Sequence, residues 1–200
     1  QMSLKTSISK TEVTKYNIAE NISSAYLNSG SSINPIVGQP VYGLVSYQWA
    51  GLDPETGDPL GYIDGVKSSD YKTIQNLDVS NLVFSGSATP TLFGNLTNTI
   101  EYKNISLTAN VIYKFGYYYR RPTINYYNLF NNDIGDIDLQ KRWQKPGDEK
   151  NTYVPSLVYP DQSTRDNFYT TSNILIDKAD NIRFQYLSVS YQLNKNHYKH

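Results

Sequence analysis

Between Leu96 and Phe115 the chain alternates apolar and polar residues across a two-residue corner, Lys103-Asn104. In the second arm Ile105, Leu107, Ala109, Val111, Tyr113 and Phe115 fall on one parity. Ser106, Thr108, Asn110 and Lys114 fall on the other, with Ile112 the exception. Side chains of a strand point alternately to its two faces, so this pattern predicts a hairpin with one apolar and one polar wall. It runs into Tyr117-Tyr118-Tyr119 and Arg120-Arg121. About ten alternating residues closed by an aromatic girdle are what one strand of a transmembrane β-barrel requires.

The pattern recurs. Strands are expected at about 2–10, 41–49, 96–102, 105–116, 172–178 and 182–194. In the last of these, Ile182, Phe184 and Tyr186 lie on one parity and Leu187, Val189, Tyr191 and Leu193 on the other, a phase flip that predicts a β-bulge. Tight corners are read at Lys103-Asn104 and at Ala179-Asp180-Asn181, whereas 50–95 and 117–171 read as long loops. Loops of that length are usually functional, and barrels of the outer membrane alternate short turns with long extracellular loops. Segment 41–49 fits this alternation poorly and is read as either a crossing strand or an extracellular hairpin.

Composition narrows the choice. The 200 residues include 19 Tyr against 6 Phe and a single Met, with 38% hydrophobic residues. Apolar runs fall short of the roughly 18 residues of a spanning helix, so a membrane reading demands strands. Eighteen basic and 18 acidic residues cancel, which argues against a nucleic-acid partner. Cysteine is absent, which removes disulfides, thiolate metal sites and a cysteine nucleophile. No secretory signal opens the sequence, and it reads as a piece of a longer protein.

The loops carry a resemblance. Residues 49–59 read WAGLDPETGDP, 84–94 FSGSATPTLFG and 142–156 RWQKPGDEKNTYVPS, followed by Tyr159-Pro160, Arg165-Asp166-Asn167-Phe168-Tyr169 and Asp180-Asn181-Ile182-Arg183-Phe184. In this order they resemble the C-terminal barrel region of the SusC/RagA family of TonB-dependent outer-membrane transporters of Bacteroidetes-type bacteria. The resemblance implies an all-β chain: an antiparallel transmembrane β-barrel segment, the C-terminal part of a large plugged barrel of about 22 strands, with long extracellular loops. It also implies a SusD-like surface lipoprotein as partner, energy from TonB through the missing N-terminal part, a lipid bilayer around the wall, and oligosaccharide or peptide cargo. Asp180-Asn181 stands where that family often has Gly-Asp or Asp-His.

Candidate chemistry is sparse. His197 and His200 lie in a polar tail without a nearby carboxylate, so neither a Ser-His-Asp arrangement nor a histidine metal site is expected. Asp148-Glu149 are adjacent and diverge, unlike the convergent pair of a glycosidase, and suit a solvated turn after Pro146-Gly147. Asp53 to Asp58 and Asp133 to Asp138 are oxygen-rich but lack EF-hand spacing, so no cofactor is expected and calcium is unsupported. Candidates for ligand or partner contact are Tyr119, Arg120, Arg121, Arg142 and Trp143. An interface girdle is the preferred reading of the first three, and for Arg142-Trp143 buried packing within the loop or contact with the lipoprotein stands level with substrate contact. The chain is thus expected to bind and translocate without bond chemistry. A soluble β-sandwich that binds glycans is the alternative, and it requires a second sheet over the apolar wall.

Overall fold

The computed structural model describes residues 1–17, 22–27 and 35–193; His197 and His200 lie outside them. In chain order the elements are β1 (Met2–Ile8), α1 (Ser23–Leu27), β2 (Gly43–Ser46), β3 (Gly51–Leu52), β4 (Pro59–Ile63), β5 (Val66–Ser68) and α2 (Tyr71–Gln75). There follow β6 (Val83–Ser87), β7 (Leu92–Tyr102), β8 (Ile105–Phe115), β9 (Tyr118–Arg120), α3 (Tyr126–Asn132), α4 (Ser163–Thr170), β10 (Ile176–Lys178) and β11 (Asn181–Tyr191). The chain divides into two compact units: residues 1–10, 89–117 and 178–200, and residues 11–88 and 118–177.

The first unit is a four-stranded antiparallel sheet in the order β1-β7-β8-β11. Its register sorts residues by chemistry. Leu4, Leu96 and Val111 stand in one row with Phe184, and Ile100 and Leu107 in another with Val189. The other face pairs Ser3 with Thr97, Thr97 with Asn110 and Thr99 with Thr108. There the Asn110 amide donates to Thr97 Oγ1 at 2.6 Å, and the Thr99 and Thr108 hydroxyls meet at 3.0 Å. Asn110 is buried while the apolar face is open: Ile182 is 68% and Val189 67% exposed. The usual disposition of a sheet, with apolar residues covered and polar residues bare, is inverted.

The expected phase flip is a bulge at Gln185: Phe184 faces Val111 while Tyr186 faces Asn110. The extra residue keeps Ile182 and Phe184 on the same face as Leu187, Val189 and Tyr191, and turns Tyr186 to the polar side. β7 begins four residues earlier than the pattern predicts because Gly94 and Asn98 interrupt its apolar parity. Gly94 has a steric reason. A Cβ there would stand 2.0 Å from the Lys5 carbonyl and 2.5 Å from the Tyr113 hydroxyl, which crosses over it to Thr6. At the corner, Lys103 takes a left-handed backbone, φ 52°.

The second unit overturns the reading of 50–95 and 117–171 as plain loops: both fold, with a shared core. One cluster joins Ile124, Tyr126, Val154, Tyr169 and Leu175; another joins Tyr47, Tyr71, Ile74 and Phe168, and Trp49 packs on both. Successive aromatic residues of α4, Phe168 and Tyr169, thereby serve separate clusters. Two further corrections follow. The strand expected over 41–49 narrows to Gly43–Ser46, paired with β6 and not with the large sheet. Its alternation reflects burial of Tyr47 and Trp49 in the core, where Trp49 N–H donates to Asn173 Oδ1 at 2.9 Å. The strand expected over 172–178 is a 3-10 turn at Asn173–Leu175 followed by β10, which pairs with β9. Fully buried Leu175 anchors that turn. Ala179-Asp180 is therefore a corner and not a hairpin turn, held by the Gly116 N–H, which donates to Asp180 Oδ1 at 2.7 Å.

Candidate functional site

The loop motifs converge on one another inside the second unit. In WAGLDPETGDP, Asp53 Oδ1 accepts from the backbone N–H of Glu55 and Thr56 at 2.8 and 2.9 Å. Those bonds hold its carboxyl below the usual carboxylate range. The turn brings Gly57, φ 71°, under the ring of Trp143, so close that a Cβ would lie 2.4 Å from it. Trp143 is buried, its N–H donates to the Val154 carbonyl at 2.9 Å, and Nε1 lies 3.4 Å from Glu149 Oε2. Asp148 Oδ2 accepts from the N–H groups of Gln144 and Lys145. The adjacent acids thus brace the turn after Pro146-Gly147, as their spacing suggests.

Arg165 ties these loops together. It is 2% exposed; its Nε donates to Asp58 Oδ1 at 2.7 Å, and its Nη2 donates to the carbonyl and hydroxyl of Ser156 at 2.8 and 3.1 Å. Its neighbour Asp166 is also buried, its Oδ2 has no hydrogen-bond partner among the described residues, and burial pushes its carboxyl up to about 6. Sequence reasoning assigned neither residue a role. The signal was the charged pair Arg165-Asp166 ahead of the apolar Phe168-Tyr169, on a helix too short to spare a charge from its buried face.

The expected contact residues separate. Arg120 is turned inward: Nη2 donates to the Val45 carbonyl at 2.7 Å and to Ser46 Oγ at 3.1 Å, and desolvation lowers its pKa to about 10, still cationic at neutral pH. Arg121 pairs with Asp138 at 2.7 Å and lies over the Tyr153 ring. Although burial opposes it, bonds from Arg121, Thr123 and Lys141 hold the Asp138 carboxyl below its ordinary value. Trp143 is core. Tyr119 is 44% exposed, and Arg142 is half-buried with its Nη1 donating to the Leu139 carbonyl at 3.0 Å. Arg142 borders a cleft of about 320 Å³ with Gln140, Lys141, Asp148, Asn151, Thr152 and Tyr153. The structure therefore brings Arg142 and Trp143 to one loop and leaves Tyr119 to Arg121 on β9 and its edge. A second cleft of about 320 Å³ lies among Ser23, Tyr47, Tyr62, Asp64, Ile74 and Leu82. Among the described residues, no group of three or more His, Cys, Asp or Glu could hold a metal. Of the acids in 53–58 and 133–138, Asp53 and Asp136 accept turn N–H bonds and Asp58 and Asp138 form ion pairs.

No protein-family model and no curated protein matches the sequence. Solved structures do. A chain of the RagAB peptide transporter is similar over 82% of this chain and 17% of its own, with 21% identity and a TM-score of 0.57. Chains of the RagAB peptide importer in its open-open and closed-closed states are similar over 78% of this chain, each at 24% identity, with TM-scores of 0.52 and 0.53. This chain spans 16–17% of their length. These relatives are transporters and not enzymes. In fold, then, this chain is similar to a part of a RagAB peptide-importer chain, the class of protein to which its loop motifs pointed.

Proposed function

We propose that the chain is the C-terminal barrel portion of a SusC/RagA-type nutrient importer in a bacterial outer membrane. One observation carries this reading: a four-stranded sheet whose apolar face is open and whose polar face is knit by side-chain hydrogen bonds. Strands of a barrel wall need that inversion, since lipid meets the apolar residues and the lumen the polar ones. The edges β1 and β11 have ladder groups left over for further strands of the longer protein. Both long insertions leave and re-enter at the sheet end opposite Lys103-Asn104, as extracellular loops would. The transport is of peptides or oligosaccharides, with a SusD-like lipoprotein as lid and TonB as the energy source. Peptide cargo has the support of the RagAB likeness. On this reading exposed Tyr119 and half-buried Arg142 are the candidates for cargo or lipoprotein contact. Arg120, Arg121 and Trp143 act indirectly, by fixing the loops.

The test is extraction of the full-length protein from outer membranes in mild detergent, with mass spectrometry of what co-purifies. A surface lipoprotein in equal amount is the expected result. Release by buffer without detergent, and without a partner, would sink the barrel reading and favour a soluble glycan-binding sandwich.

A further inference from the structure

Tyr47 sits in the aromatic core, 2% exposed, with its ring 5.6 Å from that of Phe168. Its hydroxyl is buried and has no hydrogen-bond partner among the described residues. Leaving a buried hydroxyl unsatisfied costs about 1–3 kcal/mol, and phenylalanine would fill the same space without that penalty. Tyr47 also lines the 320 Å³ cleft. The other polar groups around it are Gln48 and Asn81, Ser23, Tyr62 and the exposed Asp64; among the described residues no cation lines it. Ile74, Leu77 and Leu82 supply the aliphatic part of its lining. The size lies near the lower end of ligand pockets, about 300–1,000 Å³.

From this combination we infer that the cleft is a subsite for one end of a short peptide. The Tyr47 hydroxyl and the Gln48 and Asn81 amides bond its backbone, Ile74, Leu77 and Leu82 receive an aliphatic side chain, and Asp64 faces its ammonium group. A sugar fits less well, because the Tyr47 ring is stacked on Phe168, which leaves Tyr62 as the second aromatic of the lining to face a sugar alone beside three aliphatic side chains. A carboxylate-rich ligand would meet Asp64 without a cation to balance it. The Tyr47 hydroxyl also holds its proton firmly, since desolvation raises its pKa to about 12, so it is available as a donor at any physiological pH. The inference rests on the importer reading for its biological setting but not for its chemistry.

The experiment uses the full-length protein in detergent and three probes: the tripeptide Ala-Leu-Ser, its N-acetyl form and maltotriose. Binding is followed by calorimetry and unfolding by thermal shift, for wild type, Tyr47→Phe and Asp64→Asn. Tyr47→Phe is expected to raise the Tm of the unliganded protein while weakening Ala-Leu-Ser about tenfold. Asp64→Asn, on an exposed turn, is expected to weaken Ala-Leu-Ser several-fold and leave the N-acetyl form unchanged. Unaltered affinity in both variants, no tripeptide binding by wild type, or Tyr47-dependent binding of maltotriose would each overturn the assignment. Tripeptide uptake by cells with and without the gene is read separately. If deletion leaves uptake intact while Tyr47-dependent binding holds, the importer reading fails and the subsite stands.

Discussion

Arg165 shows how a single side chain can hold loops that are distant in sequence. Its guanidinium serves Asp58 and Ser156 at once, with the Tyr126 ring 6.0 Å away. Replacing it by methionine keeps much of the volume but leaves Asp58, 32% exposed, without its ion partner, a loss below the roughly 3–5 kcal/mol of a fully buried pair. Hydrogen exchange on the full-length protein should show faster exchange at 53–58 and 156–166, with the β7–β8 hairpin unchanged. Asp166 governs the pH response. Its folded pKa of about 6 stands above the roughly 3.9 of an unfolded aspartate, so the folded unit binds a proton more readily. Its contribution is therefore full below about pH 4 and is lost as pH rises through 6. Asp53 and Asp138, whose carboxyls are lowered, act oppositely and weaken the fold below about pH 4. Thermal stability should thus increase by a few degrees from pH 7 to 5. In Asp166→Asn that slope should flatten.

Among the elements, the bulge in β11 is the most exacting. Deleting Gln185 would remove the unpaired residue and leave Ile182, Phe184, Leu187 and Val189 in phase along a regular strand, whereas inserting a second residue there would transfer one of the two sets to the polar face. Loss of the folded, heat-modifiable form on a gel is expected for the insertion, whereas the deletion and Gln185→Ala should both retain it. The bulge was legible because it left a trace in the parity of the sequence. So was the hairpin corner at Lys103-Asn104, where alternation reverses between two long arms. The β4–β5 hairpin was equally legible and went unread: Asp64-Gly65, with φ 50° and 79°, is the Asp-Gly pair that a two-residue turn prefers. The second unit was hidden for a different reason. Its strands have two to five residues, too few to display a period, and its order comes from Gly57 under Trp143 and Gly86 under Tyr118, contacts between distant segments. For the same reason the sequence left Arg120 and Trp143 open between contact and packing: it shows that an arginine or tryptophan stands in a loop, but not which way it faces.

For the molecule as a whole, the inverted sheet makes opposite demands of its two faces. Leu107→Arg, on the apolar side, should cost about 2–4 kcal/mol if that face lies in hydrocarbon. Thr108→Lys, one residue away on the polar side, should be accepted. Outer-membrane yield and resistance to urea extraction, compared for the two variants, test this directly. Equal tolerance at both positions would mean that the apolar face meets water, and would sink the barrel-wall reading.

The connectivity also dictates an order of assembly. β7 and β8 are joined by two residues and can pair within about 1–10 μs, on the timescale of a hairpin. β1 and β11 must find the same hairpin across the two long insertions, and closure entropy grows with the length of a slack loop. The insertions are not slack once folded. Within their unit, the Ala88 N–H donates to the Tyr42 carbonyl, Gly86 lies under Tyr118, and β9 pairs with β10, so the exits at Ala88, Tyr118 and Asp177 are gathered together. A unit that folds first would deliver β11 to its neighbour already close, turning a long-range search into a local one. Lesions such as Arg165→Met, though outside the sheet, would then register as slow strand closure before they register as lost stability.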